Sequence, residues 1–114
     1  MTVSRGEIML TRFPFSDLSG SKVRPALVVS PTLIGRDVVL AAISSVMRAG
    51  LGTTDLVIPA DHPEFPLTGL RVDSVLRLHK LFTVEQGVIV RRLDRIGPLL
   101  QAEVNRLLRL AVGL

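Results

Sequence analysis

The sequence has no cysteine, no tryptophan and no tyrosine, and its only histidines are His62 and His79. The first absence rules out disulfides, thiolate nucleophiles and cysteine-ligated zinc together. Two imidazoles are too few for the usual zinc sets, so the residues suggest no metal and no cofactor. No apolar run approaches the roughly 18 residues that a membrane helix needs. The opening MTVSRGEIML lacks the long apolar stretch and the cleavage site of a secretory signal, so a cytoplasmic protein is expected. Without Trp or Tyr, stacking on nucleic-acid bases would fall to Phe13, Phe15, Phe82 or the planes of arginine side chains.

What is present points to one small, apolar and basic unit. The 114 residues suit a single domain over 1–114. A hydrophobic fraction of 47% and a mean hydropathy of +0.46 are high for a domain of this size, so part of the apolar surface is expected to be hidden against a second subunit. The net charge is +4, and 12 of the 14 basic residues are arginine, whose planar fork matches phosphate oxygens two at a time. That balance fits a polyanionic partner, and it equally fits a composition biased toward arginine.

Short runs rich in Val, Ile and Leu recur along the chain. Glu7–Phe13, Pro25–Ser30, Val38–Ile43 and Asp55–Ile58 read as strands, the first two separated by the turn formers SDLSGSK. Three prolines and a glycine make Pro59–Gly69 a loop. Asp73–Val84 mixes polar and apolar residues on both faces, as a strand bending across a barrel would, and Val88–Ile96 reads as the last strand. Helical spacing occurs only at the end, where Leu100, Val104, Leu107, Leu108 and Ala111 form one stripe behind Pro98. Leu99 and Leu110 fall off that stripe, which suits contact with a second subunit. The expected fold is mainly β, a small barrel-like sheet with a C-terminal α-helix.

Three strings could carry chemistry. In Lys22–Val29 (KVRPALVV), Arg24 precedes a proline that holds it extended where a loop enters a strand. An arginine there stays charged at any cellular pH and can meet a phosphate, or it can simply solvate the strand end. In Ala41–Ser45 (AAISS) an apolar strand ends in two hydroxyls that alternate in direction. Either could donate to a phosphate oxygen, and both could be turn formers. In Asp73–Lys80, Ser74, Arg77, His79 and Lys80 either line a groove or form the solvated face of a half-buried strand.

Taken together, these strings resemble the MazF/PemK (Kid) family of toxin–antitoxin endoribonucleases. RGEIML followed by FPFSDLSGSKVRPALVVS is similar to the family's opening, its Gly/Ser loop and its RPxxVV strand. VVLAAISS resembles the strand that ends in the catalytic hydroxyl, and DSVLRLHKLFTV resembles the late strand. The resemblance implies an SH3-like, CcdB/Kid/PemK-type β-barrel with a C-terminal helix, assembled as a homodimer with an RNA groove along or across the interface. It carries the catalytic pair to Arg24 and Ser44. RNA contacts fall to Phe15, Asp17, Ser21 and Lys22 in the loop, and to Ser45, Ser74, Arg77 and Lys80. The implied reaction is metal-free cleavage of single-stranded RNA by its own 2′-hydroxyl. The implied protein partner is an antitoxin whose acidic tail competes with RNA.

Two positions depart from the family pattern. Serine stands at 44 where many members have threonine, losing the methyl that fixes the rotamer. Lys22 stands where an acidic residue often follows Gly-Ser, which leaves Asp17 as the loop's carboxylate. Two rival readings remain open on the same fold. One is a binding toxin that poisons DNA gyrase through its terminal helix, although RLLRLAVGL lacks an aromatic anchor for such a contact. The other is a non-catalytic barrel that binds RNA or protein.

Overall fold

The computed structural model describes residues 2–12, 23–31, 33, 35–45 and 51–114; Phe13, Phe15, Asp17, Ser21 and Lys22 lie outside them. Six strands, β1 (Glu7–Arg12), β2 (Val23–Val28), β3 (Asp37–Ser44), β4 (Asp55–Ile58), β5 (Ser74–Glu85) and β6 (Ile89–Arg95), form one sheet. Its order is β4-β5-β3-β2-β1-β6, and every neighbouring pair is antiparallel. All six follow the runs expected from sequence, with no end shifted by more than two residues, and the mainly-β fold with a C-terminal helix stands.

The apolar runs are nearly continuous because the sheet is covered on both faces. On one face Ile8, Leu27, Ala41, Ile43, Leu76 and Leu78 form a core with Leu100, Val104 and Leu107 of the helix α2 (Pro98–Val112). On the other, Met9, Ala26, Val28, Val38 and Leu40 pack with Val84 and Ile89. Strand β5 serves both cores because its register against β3 jumps: Leu81 pairs with Ala41, and Arg77 pairs with Ala42. The residues between them bulge out and bend the strand, which explains its mixed pattern.

The loop Pro59–Gly69 contains an unexpected helical turn, α1 (Phe65–Thr68). Its Pro66 sits in the first turn, where a missing N–H costs no helical bond. Gly69 ends it at φ 75°, a left-handed conformation, in a place where a β-carbon would also press within 3.2 Å of Leu93. Just before this turn, the buried Glu64 reaches across to α2. Gly97, at the N-cap of α2, has no side chain to offer. The Glu64 carboxylate accepts from the Leu99 and Leu100 backbone N–H groups at 2.8 Å each. A β-carbon at Gly97 would collide with that carboxylate. At the other side of the helix, Arg5 donates through Nε to the Val29 carbonyl at 2.9 Å and through a terminal nitrogen to Asn105 at 2.7 Å, tying α2 to the sheet.

The observed α2 buries the expected stripe, with Leu100, Val104 and Leu107 inside. Leu99 and Leu110 lie outside it and are exposed. No helix is long and apolar enough to cross a membrane among the described residues.

Candidate functional site

The sheet register determines what Arg24 and the two serines can do. Ala26 of β2 pairs with Ala42 of β3 in an antiparallel ladder. Two residues further along, the same register sets Arg24 opposite Ser44, with both on the face that carries Ala26 and Ala42. Arg24 also pairs with Thr11 of β1, whose buried hydroxyl donates to the Arg24 carbonyl at 3.3 Å. Pro25, immediately after it, keeps the arginine extended as the sequence suggests. The Arg24 side chain is exposed and has no carboxylate partner among the described residues. Ser44 is half-buried, pairs with Val75 of β5 and is held by an interaction of its own. An exposed cation and a strand-end hydroxyl on matching positions of one face can hold two oxygens of the same phosphate.

The adjacent row on this face reads Ala42, Arg77 and Asp55 across three strands. It lies about 6–7 Å along the strands from the Ser44 row, two residues at strand rise. The Asp55 side chain is 1% exposed and accepts from Arg77 Nε at 2.8 Å, with His79 Nδ1 at 3.5 Å. The Gly52 backbone N–H donates to its other oxygen at 2.8 Å. Burial pushes the Asp55 carboxyl up, but the Gly52 bond, the Arg77 bond and charge, and the nearby His79 outweigh it and hold the carboxyl below its usual value. Asp55 thereby keeps Arg77 and His79 in place beside the Ser44 row. Lys80 is exposed in the bulged part of β5, away from this network.

Ser45 and Ser74 belong to the opposite face. The register Ser44–Val75, continued by one residue, places Ser45 opposite Ser74. Both line a cavity of about 300 Å³, which Arg24 borders as well. Ser74 is buried and donates to the Val72 carbonyl at 2.9 Å, pinning the loop that forms one wall. The structure thus gathers Arg24 and Ser44 on one face and Ser45 and Ser74 on the other, with Arg24 bordering both, while Arg77 stands one row away. Sequence reasoning did not single out Asp55, Arg71, Arg91 or Leu93. Asp55 finds its arginine 22 residues along the chain, and no local spacing announces that. Among the described residues, no group of three His, Cys, Asp or Glu side chains is gathered closely enough to hold a metal ion.

A family model described as PemK-like, MazF-like toxin of type II toxin–antitoxin system matches residues 4–112. Among curated proteins none matches the sequence significantly. Solved structures are similar in fold. An endoribonuclease from a mycobacterial species is 19% identical, with a TM-score of 0.72, covering 100% of this chain and 94% of that one. A mycobacterial endoribonuclease in complex with its cognate antitoxin is also 19% identical, with a TM-score of 0.71 and coverage of 96% and 94%. In a MazE–MazF complex from Deinococcus radiodurans the matching chain is 20% identical, with a TM-score of 0.75 and coverage of 100% and 99%.

Proposed function

Because this chain belongs to the PemK-like, MazF-like toxins of type II toxin–antitoxin systems, we propose that it is an endoribonuclease cutting single-stranded RNA at the Arg24–Ser44 face. The observation that carries this reading is the β2–β3 register, which, continued two residues beyond the Ala26–Ala42 pair, sets an exposed arginine with no carboxylate partner among the described residues opposite a strand-end serine. The RNA supplies its own nucleophile. Its 2′-oxygen bonds to the adjacent phosphorus, the bond from phosphorus to the 5′-oxygen breaks, and the proton lost from the 2′-hydroxyl is balanced by the one gained at the leaving oxygen. The products are a 2′,3′-cyclic phosphate and a 5′-hydroxyl end. With the nucleophile already in the substrate, the protein has mainly to position the phosphate and offset its growing charge, so no metal is required.

In this scheme Arg24 clamps the scissile phosphate and neutralises the charge that builds on its oxygens. It can also donate a hydrogen bond to the leaving 5′-oxygen, which takes its proton from water. A base role is unsuited to a guanidinium, which does not give up its proton in proteins. Ser44 donates to a non-bridging oxygen and holds the phosphate in line. Arg77, fixed by Asp55, offers a second cation to the neighbouring stretch of backbone. Flexible single strands suit the in-line geometry, and their splayed bases can be read on their edges.

The same reading takes the protein as a cytoplasmic homodimer whose partner is an antitoxin with an acidic segment that competes for the RNA face. Relatives of this fold are complexes with a cognate antitoxin or MazE. The test is incubation of the protein with a long single-stranded RNA in EDTA beside Arg24→Ala. Discrete cuts with cyclic-phosphate and 5′-hydroxyl ends, lost in the folded variant, are expected. Intact RNA with the wild-type protein would instead favour a binding toxin.

A further inference from the structure

We propose that Asp55, Arg77 and His79 act as a proton-controlled contact for the RNA backbone, one that tightens as the medium turns acidic. It rests on the ribonuclease reading above and adds a regulation of the same face.

The first observation is the charge of the row. The Asp55 side chain is 1% exposed, and its Oδ1 accepts from Arg77 Nε at 2.8 Å. One anion and one cation cancel in the field that a passing strand meets, so the row Ala42–Arg77–Asp55 has no net charge of its own. Asp55 remains an anion at any pH near neutrality, because its carboxyl is held below the ordinary value. His79 is the group that can tip this row, since histidine is the side chain that ordinarily changes charge between about pH 5 and 8. Its side chain is 41% exposed, so a charge placed there is felt by a ligand in solvent.

The second observation is what the ring touches. His79 Nδ1 stands 3.3 Å from the Thr54 hydroxyl and 3.5 Å from Asp55 Oδ1, the same oxygen that Arg77 uses. The other carboxylate oxygen is already taken by the Gly52 N–H at 2.8 Å. A neutral ring can accept from Thr54 at Nδ1 and leave Oδ1 to Arg77. A protonated ring carries an N–H on both nitrogens, so Nδ1 must donate, and Oδ1 is the anion in front of it. Two cations then share one oxygen. The grip of Asp55 on Arg77 loosens, the guanidinium is released toward a phosphate, and Nε2 of His79 adds a second charged donor beside it. Among the described residues, the charged groups that face the ring are Asp55 on β4 and, on its own strand, Arg77 and the exposed Lys80. The turn before β4 contributes the uncharged Thr54. The helix α2 lies across the sheet, on the face of Leu76 and Leu78.

The probe is single-stranded RNA with 2′-O-methyl riboses, which presents the backbone but no nucleophile. Its affinity for the full chain is measured over a range of salt at about pH 8 and about pH 5.5. For a single strand, each phosphate met by a cation adds about 0.7 to the slope of log affinity against log salt. The wild type should bind about fivefold tighter at the acid pH, with a slope steeper by about 0.7. His79→Gln should keep the shallow slope at both pH values, and His79→Lys, a cation throughout, the steep one at both. His62→Gln, which removes the other histidine, should gain as much as the wild type on acidification. A wild-type slope that does not change with pH, or an equal change in His79→Gln, would overturn the switch. Cleavage assays separate this proposal from the one it rests on. If the wild type cuts RNA while its pH-dependent binding ignores His79, the switch falls and the ribonuclease stands. If it binds the 2′-O-methyl strand with the His79-dependent slope yet cuts nothing, the ribonuclease reading falls and the switch stands.

Discussion

Ser44 and Ser45 are neighbours in sequence, but the strand's alternation sends them to different faces, and only Ser44 shares a face with the position opposite it, Arg24. Ser44→Ala should therefore lower the cleavage rate by about 10²–10³-fold, the loss typical of one preorganised donor, with little change in stability. Ser45→Ala should act mainly on RNA affinity; single-turnover rates on one short RNA check both. The sequence already marked Arg24, because the proline after it constrains its backbone, but two adjacent hydroxyls could not be told apart until a partner strand fixed the register. Asp55 was not legible at all, since what makes it a buried anion is Arg77 and Gly52 meeting it in space. Its carboxyl is held below the ordinary value of 3.8, so the folded state favours the anion. The stabilisation this gives is complete above about pH 4 and is lost as the pH falls through the folded value. Asp55→Asn should accordingly flatten the acid limb of a stability–pH curve measured by denaturant unfolding.

At the scale of elements, the strands were legible because each is a short apolar run bounded by turn formers, and α2 because its stripe repeats at helical spacing. The turn α1 was hidden by its prolines, which read as loop but are tolerated in a first helical turn. The cap of α2 was hidden by distance, since Glu64 lies about ten turns of helix away in sequence terms, outside any local capping pattern. Glu64→Ala leaves two helix N–H groups without their acceptor and should cost about 1–2 kcal/mol. For a domain of this size that corresponds to a fall in Tm of about 4–8 °C per kcal/mol, measurable by thermal unfolding. Gly97→Ala, which pushes a β-carbon into the same carboxylate, should destabilise in the same direction.

At the scale of the whole molecule, the apolar composition that suggests a second subunit has a structural counterpart in Leu99 and Leu110, 60% and 55% exposed on α2. Sedimentation should find a homodimer at micromolar concentration, and Leu110→Glu should shift it toward monomer; a monomeric wild type at all concentrations would contradict the dimer. The proposed reaction places the scissile phosphate of a single RNA strand on Arg24 and Ser44. All of this presumes that the substrate attacks itself. The most direct measurement is cleavage, in EDTA, of an RNA carrying one 2′-deoxyribose at a mapped cut. Loss of cutting at that bond alone, with the flanking cuts retained, is the expected result. Continued cutting there would mean that water is the nucleophile, and it would contradict the mechanism assigned to Arg24 and Ser44.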